Sequence, residues 1–236
     1  MKHIEKLLEL PIKIILNNQI LSDILCTPQD IDLLCIGWLL SEGLVKDYKD
    51  ITRIRFNSDC STVYIEAKCN SLIKSLSLKV SETLKKDINI SKIYKKKIST
   101  ELLDVLYKYG NILQDAQVKG LHGALLYNKD NTYIIQQDIS RHCAIDKVIG
   151  YSIKHNVNIE KSMLFTTGRI SSEFISKALN ANISVIASIK YPSITAEIVA
   201  KDWGINIASH ILTDKITVYP ARTDLELSFD KIFLTA

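Results

Sequence analysis

Glycine and proline are scarce in this sequence, with 8 glycines and 4 prolines among 236 residues. Neither low-complexity runs nor internal repeats are present. No apolar run reaches the roughly 18 residues that a membrane-spanning helix needs, and the N-terminal stretch MKHIEKLLELP lacks the apolar core of a signal peptide. With 47% hydrophobic and 24% charged residues, the composition is that of a soluble globular protein. We therefore expect a cytoplasmic protein that makes no membrane contact.

The five cysteines are odd in number, scattered, and nowhere spaced as CxxC. This pattern argues against a disulfide framework and against a structural zinc site, so we expect no metal centre. Cys26, Cys35 and Cys69 lie in apolar or mixed local contexts. Such contexts predict inert packing residues.

The net charge of +4 is too mild to indicate nucleic-acid binding. It is compatible with a local basic site for a small molecule that carries phosphate. Lys95, Lys96 and Lys97 form the one basic cluster, and their polar context indicates a solvated loop.

Hydrophobic periodicity and turn residues divide the chain into two predicted parts, residues 1–98 and residues 99–236. The first part is predicted to be a small α+β subdomain. Its predicted elements are a hairpin over residues 11–25, a helix that Thr27 caps and Gly43 ends, the strands Ile51–Phe56 and Thr62–Ala67, and a helix plus linker over residues 70–98.

The second part alternates helices and strands, which predicts a mixed α/β sheet covered by helices. The predicted elements are a helix Thr100–Tyr109 stopped by Gly110, strands Gly123–Tyr127 and Thr132–Gln136, helix Ala144–His155, strand Ser162–Thr166, helix Ser171–Asn180, strand Ser184–Ser188, helix Ile194–Asp202, and strands Ile205–Ser209 and Ile216–Tyr219. In open sheets of this kind, ligands bind beyond the carboxyl ends of the strands.

Three segments fall at such strand ends. In VKGLHGA, residues 118–124, glycines on both sides of His122 allow the backbone to approach a ligand. The alternative interpretation is a turn with an exposed histidine.

The second segment is QDISRHCAIDK, residues 137–147. Ser140 can cap the helix that follows, which places Arg141 and His142 in its first turn. Free N–H groups and the helix dipole favour a negative charge there, so two basic residues indicate a bound anion. Asp146 follows His142 by four residues and can pair with it on one face. A surface cluster of salt bridges is the alternative.

The third segment is MLFTTGRISSEFI, residues 163–175. Gly168 can adopt positive φ or allow a close ligand, Arg169 presents a planar fork suited to phosphate, and Ser171 or Ser172 can cap the next helix. An ordinary helix start explains the same residues. Because Arg141 and Arg169 both precede helices in consecutive units, we expect one pocket to collect both.

Catalysis by a triad has little support, since no stretch resembles a nucleophile elbow. Cys143 is a weak candidate nucleophile, because a helix N-terminus lowers a thiol pKa. Its neighbour His142 would point about 100° away around the helix, which argues against a thiolate–imidazolium pair.

Taken together, these segments resemble the FdhD/NarQ family of formate dehydrogenase accessory sulfurtransferases. CTPQDIDLLCIGWLLSEGL is similar to the family's first helix, GLHGALLY to its glycine–histidine–alanine segment, and DISRHCAIDKVIG to its GRH motif. TTGRISSEFISKA, KYPSITAEIVAKDWGINI and ITVYP follow in the family's order, so the resemblance covers nearly the whole chain.

The resemblance implies a small N-terminal α/β part joined to a cytidine-deaminase-like α/β sandwich with a mixed sheet, paired as a homodimer. It implies transfer of sulfur from a cysteine desulfurase to molybdopterin guanine dinucleotide for formate dehydrogenase, with GDP as a surrogate ligand. The implied cofactor-binding residues are His122, Arg141, His142, Asp146, Lys147, Thr167, Gly168, Arg169, Ser171, Ile216, Thr217, Val218, Tyr219, Pro220 and Ala221.

One departure from the family concerns the sulfur. Family members carry a CxxC loop whose cysteine bears the persulfide, but residues 80–100 of this chain, VSETLKKDINISKIYKKKIST, contain no cysteine. A relay needs an accessible thiolate, so either Cys143, Cys60 or Cys69 carries the sulfur, or the chain binds the cofactor without transferring sulfur. A module that senses guanine nucleotides is a further alternative. A zinc nucleoside deaminase is disfavoured, because its PCxxC motif is missing.

Overall fold

The computed structural model describes residues 7–69, 76–85, 99–160 and 162–221. Two sheets and six helices occupy these ranges, and the order along the chain is strand, strand, helix, strand, strand, helix in the N-terminal part. The strands and helices of that part are β1 (Leu10–Leu16), β2 (Gln19–Cys26), α1 (Ile31–Ser41), β3 (Ile51–Phe56), β4 (Thr62–Ala67) and α2 (Leu76–Leu84).

The N-terminal sheet has the strand order β2-β1-β4-β3. Asn17 and Asn18 join β1 to β2 with φ values of 48° and 67°, the left-handed backbone that a tight hairpin turn requires. Strand β1 also pairs in parallel with β4. Ile12 and Ile14 of β1 are fully buried, so the inner face of this sheet packs on the core.

The C-terminal sheet has six strands in the order β10-β9-β8-β7-β5-β6. Strands β7, β8 and β9 are parallel, β5 is antiparallel to both of its neighbours, and β10 is antiparallel to β9. This mixed sheet confirms the predicted α/β class. Its elements are α3 (Thr100–Ala116), β5 (His122–Asn128), β6 (Tyr133–Asp138), α4 (Arg141–Lys154), β7 (Ser162–Thr166), α5 (Ser172–Asn180), β8 (Val185–Ser188), α6 (Ile194–Trp203), β9 (Asn206–Ser209) and β10 (Thr217–Tyr219).

Apolar side chains cover both faces of the six-stranded sheet. Phe165 of β7 packs with Leu106 and Tyr109 of α3 on one face. The neighbouring Leu164 points to the other face, where it joins a larger core. That larger core also contains Ile14 of β1, so the two sheets share one apolar interior rather than two separate ones.

Two details differ from the sequence predictions, and a third prediction is untested. Helix α3 continues through Gly110 to Ala116, and Gly110 packs against the side chains of Ile211 and Leu212. The N-cap of α1 is Asp30, whereas Thr27 is turned toward β6. The basic cluster at residues 95–97 lies outside the described residues. Within the described ranges, no helix is both long and apolar enough to span a bilayer.

Helices α1 and α4 make the closest contact between the two parts of the chain. A Cβ atom added to Gly37 would lie 1.8 Å from the Asp146 carbonyl oxygen, and one added to Gly150 would lie 1.9 Å from the Leu33 carbonyl oxygen. Both neighbours are backbone atoms, which cannot rotate away. Glycine at both positions is therefore what allows the helix backbones to touch.

We predict that Gly37→Ala lowers the free energy of unfolding by about 3 kcal/mol or more, because the helices must separate to admit a methyl group. Gly110→Ala is the matched control. Its new methyl group meets side-chain atoms of Ile211 and Leu212 and no backbone atom, and its effect should stay within about 1 kcal/mol because alanine favours helix. Urea denaturation of both variants measures the difference, and equal stabilities would contradict the close-packing argument.

Candidate functional site

The sheet topology brings several loops to one edge of the six-stranded sheet. His122 at the start of β5 pairs with Asp138 at the end of β6. The carboxyl ends of the parallel strands β7 and β8 lie along the same edge, since Ala124 pairs with Thr166 and Thr166 with Ser188. The segments around His122, Arg141 and Gly168 therefore meet, as the sequence predicts.

The β6–α4 junction is fixed by hydrogen bonds. Ser140 is the N-cap of α4, where its hydroxyl accepts from the Cys143 N–H at 3.5 Å. The Ser140 N–H donates to Asp138 Oδ1 at 2.8 Å. This arrangement holds Arg141 as the first helical residue, with its side chain exposed at the sheet edge.

The β7–α5 loop lies directly against Arg141. The Thr167 hydroxyl accepts from the Gly123 N–H at 3.0 Å, and the Gly168 carbonyl accepts from the Ser188 hydroxyl at 2.7 Å. A Cβ atom on Gly168 would lie 3.0 Å from Arg141 Cδ. Gly168 thus leaves room for the aliphatic part of Arg141, and the exposed Arg169 follows immediately.

Two polar atoms at this edge are buried without a hydrogen-bond partner among the described residues. They are His122 Nδ1 and the Ser171 hydroxyl, at the N-cap of α5. Burial and the nearby Arg141 charge lower the pKa of His122, so the imidazole is neutral at neutral pH. Buried polar atoms without partners are uncommon, and a polar ligand between the two loops would supply partners for both.

His142 faces a different neighbour from the one predicted. Its Nε2 lies 3.2 Å from a Glu173 carboxylate oxygen, and its ring packs against Phe174. Burial and the charges of Lys177 and Arg141 lower the pKa of His142 to about 4. The contact with Glu173 is therefore a hydrogen bond from a neutral imidazole at pH 7, and the predicted pairing of His142 with Asp146 is wrong.

Asp146 and Lys147 belong to two buried ionic clusters. Lys147 Nζ lies 2.7 Å from Asp138 Oδ2, and both side chains have no exposed surface. Asp146 Oδ1 accepts from the Ser41 hydroxyl at 2.6 Å and from Lys177 Nζ at 2.9 Å. In this chain both residues contact protein groups inside the core, so a contact of Lys147 with a ligand would require the pair to open.

The cluster around Asp146 stabilises the protonated, positively charged form of Lys177. Its ammonium group contacts Asp146, Glu42 and the Ser41 hydroxyl. Burial disfavours the charged form, but the two carboxylates outweigh burial, and the pKa of Lys177 is raised above its ordinary value. The cluster links α1 to α4 and α5.

Strand β10 brings only part of residues 216–221 to the site edge. Thr217 pairs with Ser209 at the carboxyl end of β9, whereas Tyr219 pairs with Ile207, farther from that edge. The Ala221 N–H donates to Asn206 Oδ1, at the opposite end of β9. Ile216 and Thr217 are therefore near the edge, and Val218 and Tyr219 lead away from it. Pro220 and Ala221 lie toward the opposite end of the strands.

The cysteines divide into a buried and an exposed group. Cys26, Cys35 and Cys143 are buried, whereas Cys60 and Cys69 are exposed. The expectation that Cys69 is a packing residue is thus wrong, because it lies just beyond the end of β4 with its thiol near Asn17. Burial raises the pKa of Cys143 to about 12, so this thiol is a poor nucleophile despite its position at a helix N-terminus.

Sequence reasoning missed three groups at the same edge. Lys190 follows β8, and His210 follows β9 with its ring centroid 3.4 Å from that of Tyr191. The rule that located Arg141 and Arg169, polar residues just after strands, also applies to these positions. Within the described ranges, no group of three or more His, Cys, Asp or Glu residues is arranged to hold a metal ion.

Comparison with known proteins places the chain in a family. The model of the FdhD/NarQ family matches residues 7–225. The chain belongs to the FdhD/NarQ family. The glycine–histidine, arginine–histidine and glycine–arginine segments all lie within the matched residues.

Curated relatives match most of the chain. Sulfur carrier protein FdhD of Geobacillus kaustophilus is 28% identical over 233 residues, covering 90% of this chain and 86% of the relative. The Wolinella succinogenes protein of the same name is 28% identical and covers 91% and 80%. A crystal structure from Desulfotalea psychrophila, assigned as a formate dehydrogenase accessory protein, has a TM-score of 0.68 and 21% identity, and covers 91% of this chain and 87% of that one. The structural match supports the fold.

We predict that His142 makes stability fall as pH decreases. The folded pKa of about 4 lies below the ordinary value of 6.5, so between these pH values the unfolded chain binds more protons. The loss should approach about 1.4 kcal/mol per pH unit within this window. Urea denaturation from pH 7 to pH 4 measures it for the wild type and for His142→Gln, which cannot be protonated.

The difference in stability between the wild type and His142→Gln should shrink or reverse as the pH falls. His155→Gln, at an exposed histidine, tests for a general effect of removing an imidazole. A pH-independent difference for His142→Gln would contradict a buried neutral imidazole.

Proposed function

We propose that the chain is a formate dehydrogenase accessory protein that binds molybdopterin guanine dinucleotide at the edge formed by the β6–α4 and β7–α5 loops. The observation that carries this proposal is the close approach of the Arg141 side chain to Gly168, beside two buried polar atoms that lack partners among the described residues. The cofactor is the cargo of this protein and not its resident group.

The edge has the chemistry that a pyrophosphate requires. Arg141 lies in the first turn of the 14-residue helix α4, and Ser171 caps α5 without a side-chain hydrogen bond to the helix backbone. Helix N-termini present free N–H groups and a partial positive charge to an anion. Arginine adds bidentate, charge-assisted hydrogen bonds. Arg141 and Arg169 are thus assigned to phosphate, with His122, Thr167 and Ser171 as neutral polar contacts.

The relatives' name, sulfur carrier protein, supports a role in sulfuration of the bound cofactor before its insertion into formate dehydrogenase. A cysteine desulfurase would then be the sulfur donor, and a homodimer the working assembly. The cysteine desulfurase and the homodimer are both part of this proposal. The proposal also implies that the protein acts in the cytoplasm, where the cofactor is assembled.

We expect Arg141→Ala and Arg169→Ala each to weaken GDP binding by about 1.5–3 kcal/mol, because each removes one charge-assisted contact to phosphate. Isothermal titration with GDP as the surrogate ligand measures this loss. Guanosine, which lacks phosphate, should bind weakly to the wild type and with little difference between variants.

Arg55→Ala is the matched control for these two variants. Arg55 pairs with Glu66 on the N-terminal sheet, with more than half of each side chain exposed, and its loss should leave GDP affinity unchanged. If both edge variants bind GDP as tightly as Arg55→Ala does, the site assignment is wrong.

A second candidate function is cofactor binding without sulfur transfer. The absence of cysteine from residues 80–100 favours it, and so do the raised pKa values of the buried Cys26 and Cys143, about 11 and about 12. Cys60 and Cys69 are the accessible thiols. Sulfur transfer, if the chain retains it, therefore uses one of these two.

Persulfide labelling after incubation with a cysteine desulfurase and cysteine separates the two functions. We expect no label on Cys26, Cys35 or Cys143, because these thiols are buried and protonated. Cys60→Ser and Cys69→Ser tested singly identify a labelled residue. Label on either site supports the carrier function, whereas an unlabelled wild type that still binds GDP supports binding alone. Label on Cys143 would contradict the assignment of an inert thiol.

A further inference from the structure

An exposed aromatic pair lies at the same edge of the six-stranded sheet as the proposed phosphate site. Tyr191 follows β8 and His210 follows β9, and their ring centroids lie 3.4 Å apart with the planes tilted by 39°. The His210 ring supports the tyrosine, yet 54% of Tyr191 stays exposed. An aromatic ring that is supported and still largely open is a surface on which a flat heterocycle can stack.

Backbone hydrogen bonds hold this aromatic pair beside the phosphate site. The Ser193 N–H donates to the Ile170 carbonyl at 2.9 Å, and Ile170 directly follows Arg169. The Ile211 N–H donates to the Ser188 carbonyl at 3.3 Å, which ties the end of β9 to the end of β8. The aromatic pair therefore lies next to the phosphate loops, farther along the same edge of the sheet.

One carboxylate occurs among the basic groups of this edge. Glu197 lies in the first turn of α6, and the Tyr219 hydroxyl interacts with its carboxylate and with Ser209. The same hydroxyl is near enough to Tyr191 for the two phenol groups to interact electrostatically. Although the backbone of Tyr219 leads away from the edge, its side chain thus connects Glu197 to the aromatic pair.

The Glu197 carboxylate has no compensating cation among the described residues. Burial raises the pKa of this carboxyl group, and the contact that opposes burial comes from the neutral Tyr219 hydroxyl. An ionised carboxylate offers about four positions for accepting hydrogen bonds, so several remain open to a ligand. Charge repulsion makes a carboxylate beside a phosphate site unfavourable, unless it accepts from strong neutral donors.

This combination of groups fits guanine better than adenine. Guanine carries two adjacent donors, the ring N1–H and the exocyclic N2 amino group, which one carboxylate can accept together. Adenine presents a lone pair at ring N1, and that lone pair would face the carboxylate. Bidentate contacts of this kind discriminate between bases by roughly 5- to 150-fold.

We propose that Glu197 and Tyr191 select the guanine base of the bound nucleotide. The base stacks on the Tyr191 ring, the Glu197 carboxylate accepts from N1–H and from the N2 amino group, and Tyr219 is a positioning residue for that carboxylate. This inference rests on the proposed function, because phosphate contacts at Arg141 and Arg169 hold the base within reach. It adds a preference among bases, which contacts to phosphate do not supply.

The test is isothermal titration of the full-length chain with GDP, with ADP and with IDP, which lacks the N2 amino group. The wild type should bind GDP about tenfold more tightly than ADP, with IDP between them. Glu197→Gln should weaken GDP about tenfold and leave ADP unchanged, because the amide has one acceptor oxygen and turns its N–H groups toward guanine donors. Glu101→Gln, at an exposed glutamate in the first turn of α3, should bind all three like the wild type.

Tyr191 variants test the stacking contact. Tyr191→Ala should weaken GDP and ADP by a similar factor of about ten, because stacking on an aromatic ring depends little on the identity of the base. Tyr191→Phe keeps the ring and should retain the affinity for both nucleotides. Tyr64→Ala removes a tyrosine that is 41% exposed on the N-terminal sheet and should change neither affinity.

The outcomes separate this inference from the proposed function. Equal affinities of the wild type for GDP and ADP, with GDP binding that still depends on Arg141 and Arg169, would overturn the base assignment and leave the phosphate site in place. A preference for GDP that survives in Glu197→Gln would overturn the role of Glu197. Absence of GDP binding to the wild type would overturn both the proposed function and this inference.

Discussion

The backbone contact between α1 and α4 sets the geometry of everything near the candidate site. Gly37 and Gly150 allow the two helices to touch through main-chain atoms, and this approach brings Ser41 within 2.6 Å of Asp146. The start of α4 is thereby held at a fixed place relative to the N-terminal sheet. Arg141, His142 and Cys143 are consecutive residues at that start, so their positions depend on a contact that lies away from any ligand.

Two buried ionic clusters fix the orientation of α4 relative to the N-terminal part more specifically than the backbone contact does. Lys147–Asp138 and Lys177–Asp146 each include a group from the N-terminal part, Thr27 in the first and Ser41 in the second. A buried ion pair gains little net stability after desolvation, but removing one partner costs about 3–5 kcal/mol. The clusters therefore penalise misaligned arrangements of α1 and α4 more than they stabilise the correct one. This explains why Asp146 and Lys147, which look like ligand contacts in the motif, face the core.

The local sequence pattern was sufficient to predict the positions of the strands, but it was insufficient to predict which side chains contact each other. The ranges Ile51–Phe56, Thr62–Ala67 and Ser162–Thr166 agree with the structure residue for residue, because alternation and turn residues are encoded within a few positions. Gly110 locally predicts the end of a helix, yet α3 continues through it to Ala116, and Gly110 packs against Ile211 and Leu212. The order of strands put the three motif loops at one edge. The partner of His142 is a residue of α5, and the position of α5 relative to α4 cannot be predicted from the spacing of residues within α4.

Successive residues at the start of α4 face different surfaces of the molecule. Arg141 lies against Gly168 at the sheet edge, while His142 and Cys143 line a cleft between β2, α1 and α5, because neighbours on a helix point about 100° apart. The low pKa of His142 follows from this position, since a protonated imidazole would be desolvated and would lie near Arg141 and Lys177. A neutral His142 therefore adds no positive charge between Arg141 and Lys177.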